Sequence, residues 1–242
     1  MTFPQFKNKH QFMPLFSAEE FISYSKANLK IKKCIIIFQN STLNYFIKKY
    51  HAQKIPLKGL FKIYRHKHIC LVRVKGIGAP NAVAVFEEMI ALGGKEFIVV
   101  GTAGGLQDFG TFLCTKAIRD EGTSHHYVKH GTFSYPDNLL TERLGKNLKK
   151  NKIAFERGAS WTIDAPYRET KKEIEHYRKQ GIATVEMEAS ALFAVAKIRK
   201  VNIAAVFVVS DVLGKKWNPQ FHSGNLKKKL NKVFDASFKC LQ

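Results

Sequence analysis

Acidic side chains are scarce in this sequence: 19 Asp and Glu stand against 40 Lys and Arg in 242 residues, a formal net charge of +21. Cysteine is sparse as well. The four, Cys34, Cys70, Cys114 and Cys240, have no C-x-x-C spacing and mostly sit in or beside apolar runs. That argues against a disulfide framework and a thiolate metal site, and for buried, reduced thiols. No run approaches the ~20 apolar residues of a membrane span, and the opening MTFPQFKNKH lacks the apolar stretch of a signal peptide. The expected location is the cytoplasm, with no membrane partner. Internal repeats, low-complexity tracts and linkers are also missing. Residues 31–242 therefore read as one domain, behind an N-terminal arm and short helix at 1–30.

The basic surplus raises nucleic acid, an anionic membrane surface and anionic substrates as possible partners. The lysines are spread along the chain, however, and their densest runs, 146–150 and 227–229, read as exposed helix faces. No zinc-finger spacing or aromatic RNA-binding signature accompanies them. No specific nucleic-acid partner is expected.

What is present is an alternation of strands and helices. Apolar runs at 34–38, 68–74, 96–100, 112–118, 153–161 and 203–209 read as strands. Helical spacing covers 42–50, 82–92, 137–151, the segment before Gly181, and a final amphipathic helix with Leu226, Leu230, Val233, Phe234 and Phe238 on one side. Residues 120–136 and 215–219 read as loops. The class is α/β, with a sheet covered on both faces.

The chemistry concentrates in residues 184–214. Glu186-Met187-Glu188 stands at the mouth of a helix whose buried face carries Ala189, Leu192, Val195 and Ala196. The apolar strand that follows ends on Ser210-Asp211, and ligands of open α/β sheets sit beyond the carboxyl ends of strands. Helix capping by the glutamates and a turn at Asp211 would explain the same spacing. Upstream, the 96–100 strand runs into Gly101-Thr102-Ala103-Gly104-Gly105, a turn that can aim backbone N–H groups at an anion or simply reverse the chain. His125, His126 and His130 lack an acidic or Cys partner at ligand spacing, so no metal is expected.

With those pieces in place, the chain resembles the purine nucleoside phosphorylase and uridine phosphorylase superfamily, which includes the methylthioadenosine nucleosidases. Four motifs carry the resemblance in order: G-I-G-A-P-N-A at 76–82, V-G-T-A-G-G-L at 100–106, V-E-M-E-A at 185–189 and V-S-D at 209–211. It implies a three-layer α/β/α sandwich of the phosphorylase/hydrolase-like type, with a mixed central sheet curling into a distorted barrel. It also implies a homo-oligomer, dimer or hexamer, in which a neighbour completes each site. The implied activity is that of a pentosyltransferase of nucleoside salvage. Such an enzyme cleaves the N-glycosidic bond of a purine-type nucleoside with phosphate, giving free base and ribose 1-phosphate.

No cofactor is implied beyond inorganic phosphate as co-substrate. By the resemblance, Glu188 accepts from the ribose hydroxyls, Met187 packs on the ribose and Glu186 supports that wall. Asp211 is the acid at the purine, and Gly101 with Thr102 hold phosphate. Arg168, His126 and Ser210 are candidates for contact with the base. The chain departs from the pattern at Val99 and around Leu43, where phosphorylases carry arginines, and no water-activating glutamate stands near Gln39. A uridine-type phosphorylase, a hydrolytic nucleosidase and a non-catalytic nucleoside binder therefore stay open as alternatives.

Overall fold

The computed structural model describes residues 3–27, 29–56, 61–214 and 216–242. Met1, Thr2 and Asn28 of the expected arm, and Lys215 of the expected 215–219 loop, lie outside the described residues. The strands are β1 Lys33–Ile37, β2 Gln53–Lys54, β3 Ile63–His66, β4 Ile69–Arg73, β5 Glu96–Gly105, β6 Thr111–Asp120, β7 Phe133–Ser134, β8 Glu156–Ile163, β9 Ile182–Glu186, β10 Asn202–Leu213 and β11 Trp217–Pro219. The helices are α1 Ala18–Tyr24, α2 Asn40–Tyr50, α3 Ala79–Ala91, α4 Asn138–Lys150, α5 Lys171–Lys179, α6 Ala189–Arg199 and α7 Gly224–Leu241.

The sheet is mixed and partly closed. β10 runs parallel to β5 on one side and antiparallel to β6 on the other. β6 is parallel to β8, β8 is parallel to β9, and β9 returns antiparallel to β5. These five strands close on themselves, as the expected barrel requires. From β5 an open wing continues through β1, β4, β3 and β2.

Alternate residues of β1 serve opposite layers, because successive side chains of a strand point to opposite faces. Cys34 and Ile36 join a core with Phe86 and Met89 of α3 and Leu192 and Val195 of α6. Ile35 and Ile37 join a second core with Phe46 of α2, Leu144 of α4 and Phe234 and Phe238 of α7. Burial on both faces explains why the strands read as unbroken apolar runs. Each fully buried Leu, Ile or Phe contributes about 1.5–3 kcal/mol. All four cysteines are buried and free. Among the described residues, no helix is long and apolar enough to cross a membrane.

Three expectations change. The glycines at 101–105 do not turn the chain, since β5 continues through Gly105. They are there for close packing: a Cβ on Gly104 would lie 3.0 Å from Val185 Cγ1, and one on Gly105 would lie 2.7 Å from Asp108 O. Asp211 likewise does not follow the strand end. It lies within β10 at a bulge, where the register to β5 shifts between Val209 and Asp211. The 120–136 loop holds a 3₁₀ turn, Thr123–His126, and the two-residue β7. β9 was not foreseen, because its five residues, IATVE, carry no period that distinguishes a strand.

Gly105→Ala should lower unfolding free energy by about 1–3 kcal/mol in urea titrations, because backbone on one side and Val209 on the other give the methyl no room. Unchanged stability would show that the β5–β10 seam relaxes freely.

Candidate active site

The carboxyl-side ends of β1, β5, β9 and β10 meet at a cleft of about 630 Å³. Glu186, Met187 and Glu188 line it where β9 passes into α6, and Ser210 and Asp211 line it from the bulge of β10. Thr102 and Gly104 reach it from β5, and Gln39 from the end of β1.

The two glutamates have separate tasks. Glu186 Oε2 accepts from the backbone N–H of Glu188 at 2.8 Å and of Ala189 at 2.7 Å. Its Oε1 accepts from Thr162 Oγ1 at 2.5 Å and Ser160 Oγ at 3.2 Å. Thr162 Oγ1 in turn accepts from Ser190 N at 3.0 Å. Glu186 is thus the cap of α6, reaching N–H groups that a helix start leaves unpaired. Burial pushes its carboxyl up, against the pull of those four donors. Both of its oxygens are thus held by the protein.

Glu188 Oε1 accepts from Gly78 N at 2.7 Å, and the side chain makes no cap to its own helix. Its carboxyl is buried yet lines the cleft, leaving Oε2 for a ligand. Burial, and then the charge of Glu186, push it up to about 7. The donor Gly78 is placed by a turn that needs glycine, since Gly76 has φ 88° and Gly78 φ 101°. This explains G-I-G in chemical terms: its backbone N–H locates the carboxylate.

Asp211 is fixed at both oxygens. Ser210 Oγ donates to Oδ1 at 2.8 Å and Trp217 Nε1 to Oδ2 at 2.8 Å. The bulge allows adjacent Ser210 and Asp211 to share the cleft, and Gly104 leaves the space beside Asp211 open. Tyr167, Trp217 and Phe221 line the cleft and are 99%, 60% and 49% exposed, so they form an aromatic rim at its mouth. Such a rim can stack a planar ring. Glu169 faces the cleft beside them. Burial, then Asp211 and Glu173, push its carboxyl up to about 7.

Two expected base contacts are not on the cleft wall. Arg168 ends an exposed one-turn 3₁₀ helix, Pro166–Arg168, whose neighbours Pro166, Tyr167 and Glu169 take the cleft positions instead. His126 Nδ1 lies 3.0 Å from Lys9 Nζ, and its ring packs edge-on against Phe3. Its segment is pinned from below by Glu121, which accepts from Ser124 N and from Ser190 Oγ of α6. Gly101 is not on the cleft wall that Thr102 joins, and a Cβ placed on it would lie 3.4 Å from Phe38 and 3.5 Å from Phe207. Val99 and Leu43 are both core residues. Among the described residues the lining holds four carboxylates, Glu169, Glu186, Glu188 and Asp211, and no Lys or Arg.

Sequence reasoning missed Gln39, Tyr167, Glu169, Trp217 and Phe221 as wall residues. A polar residue just past a buried strand was the available signal for Gln39. Trp217 had none, because the β11 hairpin that folds it back onto Asp211 is only three residues long.

Comparison with known proteins places this arrangement. The family model described as the phosphorylase superfamily matches residues 41–239. A purine nucleoside phosphorylase of Plasmodium vivax is 27% identical over 167 residues, 66% of this chain and 67% of that protein. A guanosine phosphorylase of Halorubrum lacusprofundi is 31% identical over 57% of this chain and 59% of its own length. A uridine phosphorylase of Treponema pallidum is 33% identical over 55% and 58%. The fold is shared with an AMP nucleosidase from Bacteroides thetaiotaomicron, with a TM-score of 0.76 at 20% identity over 93% of this chain and 98% of that one. It is also shared with a purine nucleoside phosphorylase from Toxoplasma gondii, with a TM-score of 0.77 at 18% identity over 88% and 91%. With the four motifs lining or bracing one cleft and the family match spanning most of the sequence, the chain belongs to the phosphorylase superfamily.

Proposed function

We propose that this chain is a cytoplasmic nucleoside phosphorylase that acts, as a homo-oligomer, on a purine-type nucleoside. The observation that carries the reading is the pair of fixed carboxylates in one cleft, Glu188 with an oxygen to spare and Asp211 gripped at both oxygens. Glu188 accepts from the ribose 2′- and 3′-hydroxyls, and its charge stabilises the oxocarbenium-like sugar as the bond to the base opens. Met187 packs against the ribose, while Glu186 keeps Glu188 in place. The base stacks on the aromatic rim with its imidazole edge toward Ser210 and Asp211.

The C1′–N bond breaks with its electron pair passing to the base. A phosphate oxygen forms the new bond to C1′, and the proton gained by the base passes through Asp211. Thr102, with the backbone beside it, holds the phosphate. Relatives named for purine, guanosine and uridine phosphorolysis support the reaction class. A purine is favoured because an acid at Asp211 matches the basic ring nitrogen that a purine leaves with.

One observation favours a second reading, hydrolysis by water. The described lining offers phosphate no cation. The test is incubation with adenosine, inosine, guanosine, uridine and methylthioadenosine, each with and without phosphate. Purine release that requires phosphate and yields ribose 1-phosphate is expected. Release of free ribose without phosphate would replace phosphorolysis by hydrolysis, and binding without release would make the chain a nucleoside binder.

A further inference from the structure

We propose that Gln39 is the positioning residue of the oxyanion end of the cleft, directing the Thr102 hydroxyl so that a neutral relay stands where a cationic clamp is missing. This rests on the phosphorolytic reading above and adds to it a residue and a mode of anion binding.

Gln39 occupies the N-cap position of α2, where a side chain would ordinarily accept from the helix's first turn. It makes no such cap. Instead its Nε2 crosses to β5 and donates to Thr102 Oγ1 at 3.0 Å. A hydroxyl has one hydrogen and can accept as well. Because Thr102 accepts from Gln39, its own hydrogen is left without a protein acceptor among the described residues. That hydrogen can point into the cleft and donate to an oxygen anion. The second N–H of Gln39 Nε2 likewise has no acceptor among the described residues.

The orientation of the amide is decided by its other end. Gln39 Oε1 is buried with no hydrogen-bond partner among the described residues. Turning the amide over would bury two unserved N–H donors in place of one acceptor. Two buried donors cost more than one acceptor, so the orientation with Nε2 toward Thr102 is the better one. The start of α2 adds to the same field. Its first turn has neither a side-chain cap nor an acidic residue, so its partial positive charge is not neutralised at the wall that Phe38 and Gln39 form. The ligand class is an oxygen anion, and inorganic phosphate is the probe.

Gln39→Leu should raise KM for phosphate about tenfold to a hundredfold, the loss expected for a hydrogen bond to a charged group, and leave KM for the nucleoside unchanged. In a Thr102→Val background the same substitution should add nothing further, whereas Thr102→Ser should keep phosphate KM near that of the parent enzyme. An unchanged phosphate KM in Gln39→Leu, an equal rise in both KM values, or full additivity with Thr102→Val would overturn the proposal. Calorimetry with inorganic phosphate alone separates this from the functional reading. If the parent enzyme releases no base, phosphorolysis fails, yet phosphate binding that is lost in Gln39→Leu still supports the relay. Equal binding by both proteins, or none by either, sinks it. Melting curves without ligand identify any variant that fails to fold.

Discussion

Glu188→Gln is expected to lower kcat/KM for the nucleoside about a thousandfold and, in the same protein, to raise the melting temperature at pH 8. Both effects come from one charge. A carboxylate that accepts from two ribose hydroxyls and faces a developing cation loses two charge-assisted hydrogen bonds when it becomes an amide. The amide keeps a carbonyl for Gly78 N, so the turn at 76–78 has no reason to move.

Stability moves the opposite way because Glu188 is strained electrostatically. Its carboxyl rises from an ordinary 4.5 to about 7, through burial first and Glu186 second. Between those values the folded protein holds a proton that the unfolded chain has released, so stability falls as pH rises through this window. Above pH 7 the full penalty is on the order of 3 kcal/mol, and Gln removes it. The gain in melting temperature should therefore be large at pH 8 and small at pH 4. A gain over the parent of the same size at both would show that Glu188 carries no buried charge.

Activity has the mirror dependence. With ionised Glu188 as the working form we propose, kcat/KM should fall as pH drops below about 7. Glu169 also faces the cleft and is pushed to about 7, so the profile should be read in Glu169→Gln, where the acid limb persists if Glu188 is its source.

Asp211→Asn should reduce kcat about a hundredfold to ten-thousandfold while changing nucleoside KM little, the mark of a group needed only as the bond breaks. Asn can still accept one of the two donors, Ser210 Oγ or Trp217 Nε1, so binding of the intact base survives. The decisive substrate is an N7-methylated purine nucleoside, whose base departs neutral without gaining a proton. Its cleavage should be nearly indifferent to Asp211→Asn. If it slows as much as the unmodified nucleoside, Asp211 positions the base and moves no proton.

The parts of this site that could be read from sequence are those where chemistry stands out from its surroundings. Glu186, Glu188 and Asp211 are acids in apolar stretches of an acid-poor chain, and all three reach one cleft. Their division of labour could not be read. Whether a glutamate caps a helix or faces a ligand depends on Thr162 and Ser160, which lie 24 and 26 residues upstream of Glu186 and meet it only through the pairing of β8 with β9. The glycines of β5 misled for a related reason. A glycine that makes room for a neighbouring strand and one that reverses a chain are identical until the neighbour is known. Arg168 and Tyr167 are adjacent, and a single turn of 3₁₀ helix decides which of them the cleft receives. Trp217 was invisible because it acts through a three-residue hairpin.

The placement of β10 also bears on synthesis. β5 and β6 follow one another in the chain but do not pair, and β10, about 100 residues later, fills the gap between them. A nascent chain that has emerged only as far as α6 already carries Gln39, Thr102 and Glu188, yet its sheet is split along an unpaired seam with backbone donors and acceptors on both lips. Closing that seam is a long-range step and therefore slow. Nucleoside capture thus begins only after β10 has been made and inserted. Until then, whatever holds the growing chain must shield two open strand edges rather than a half-built active site.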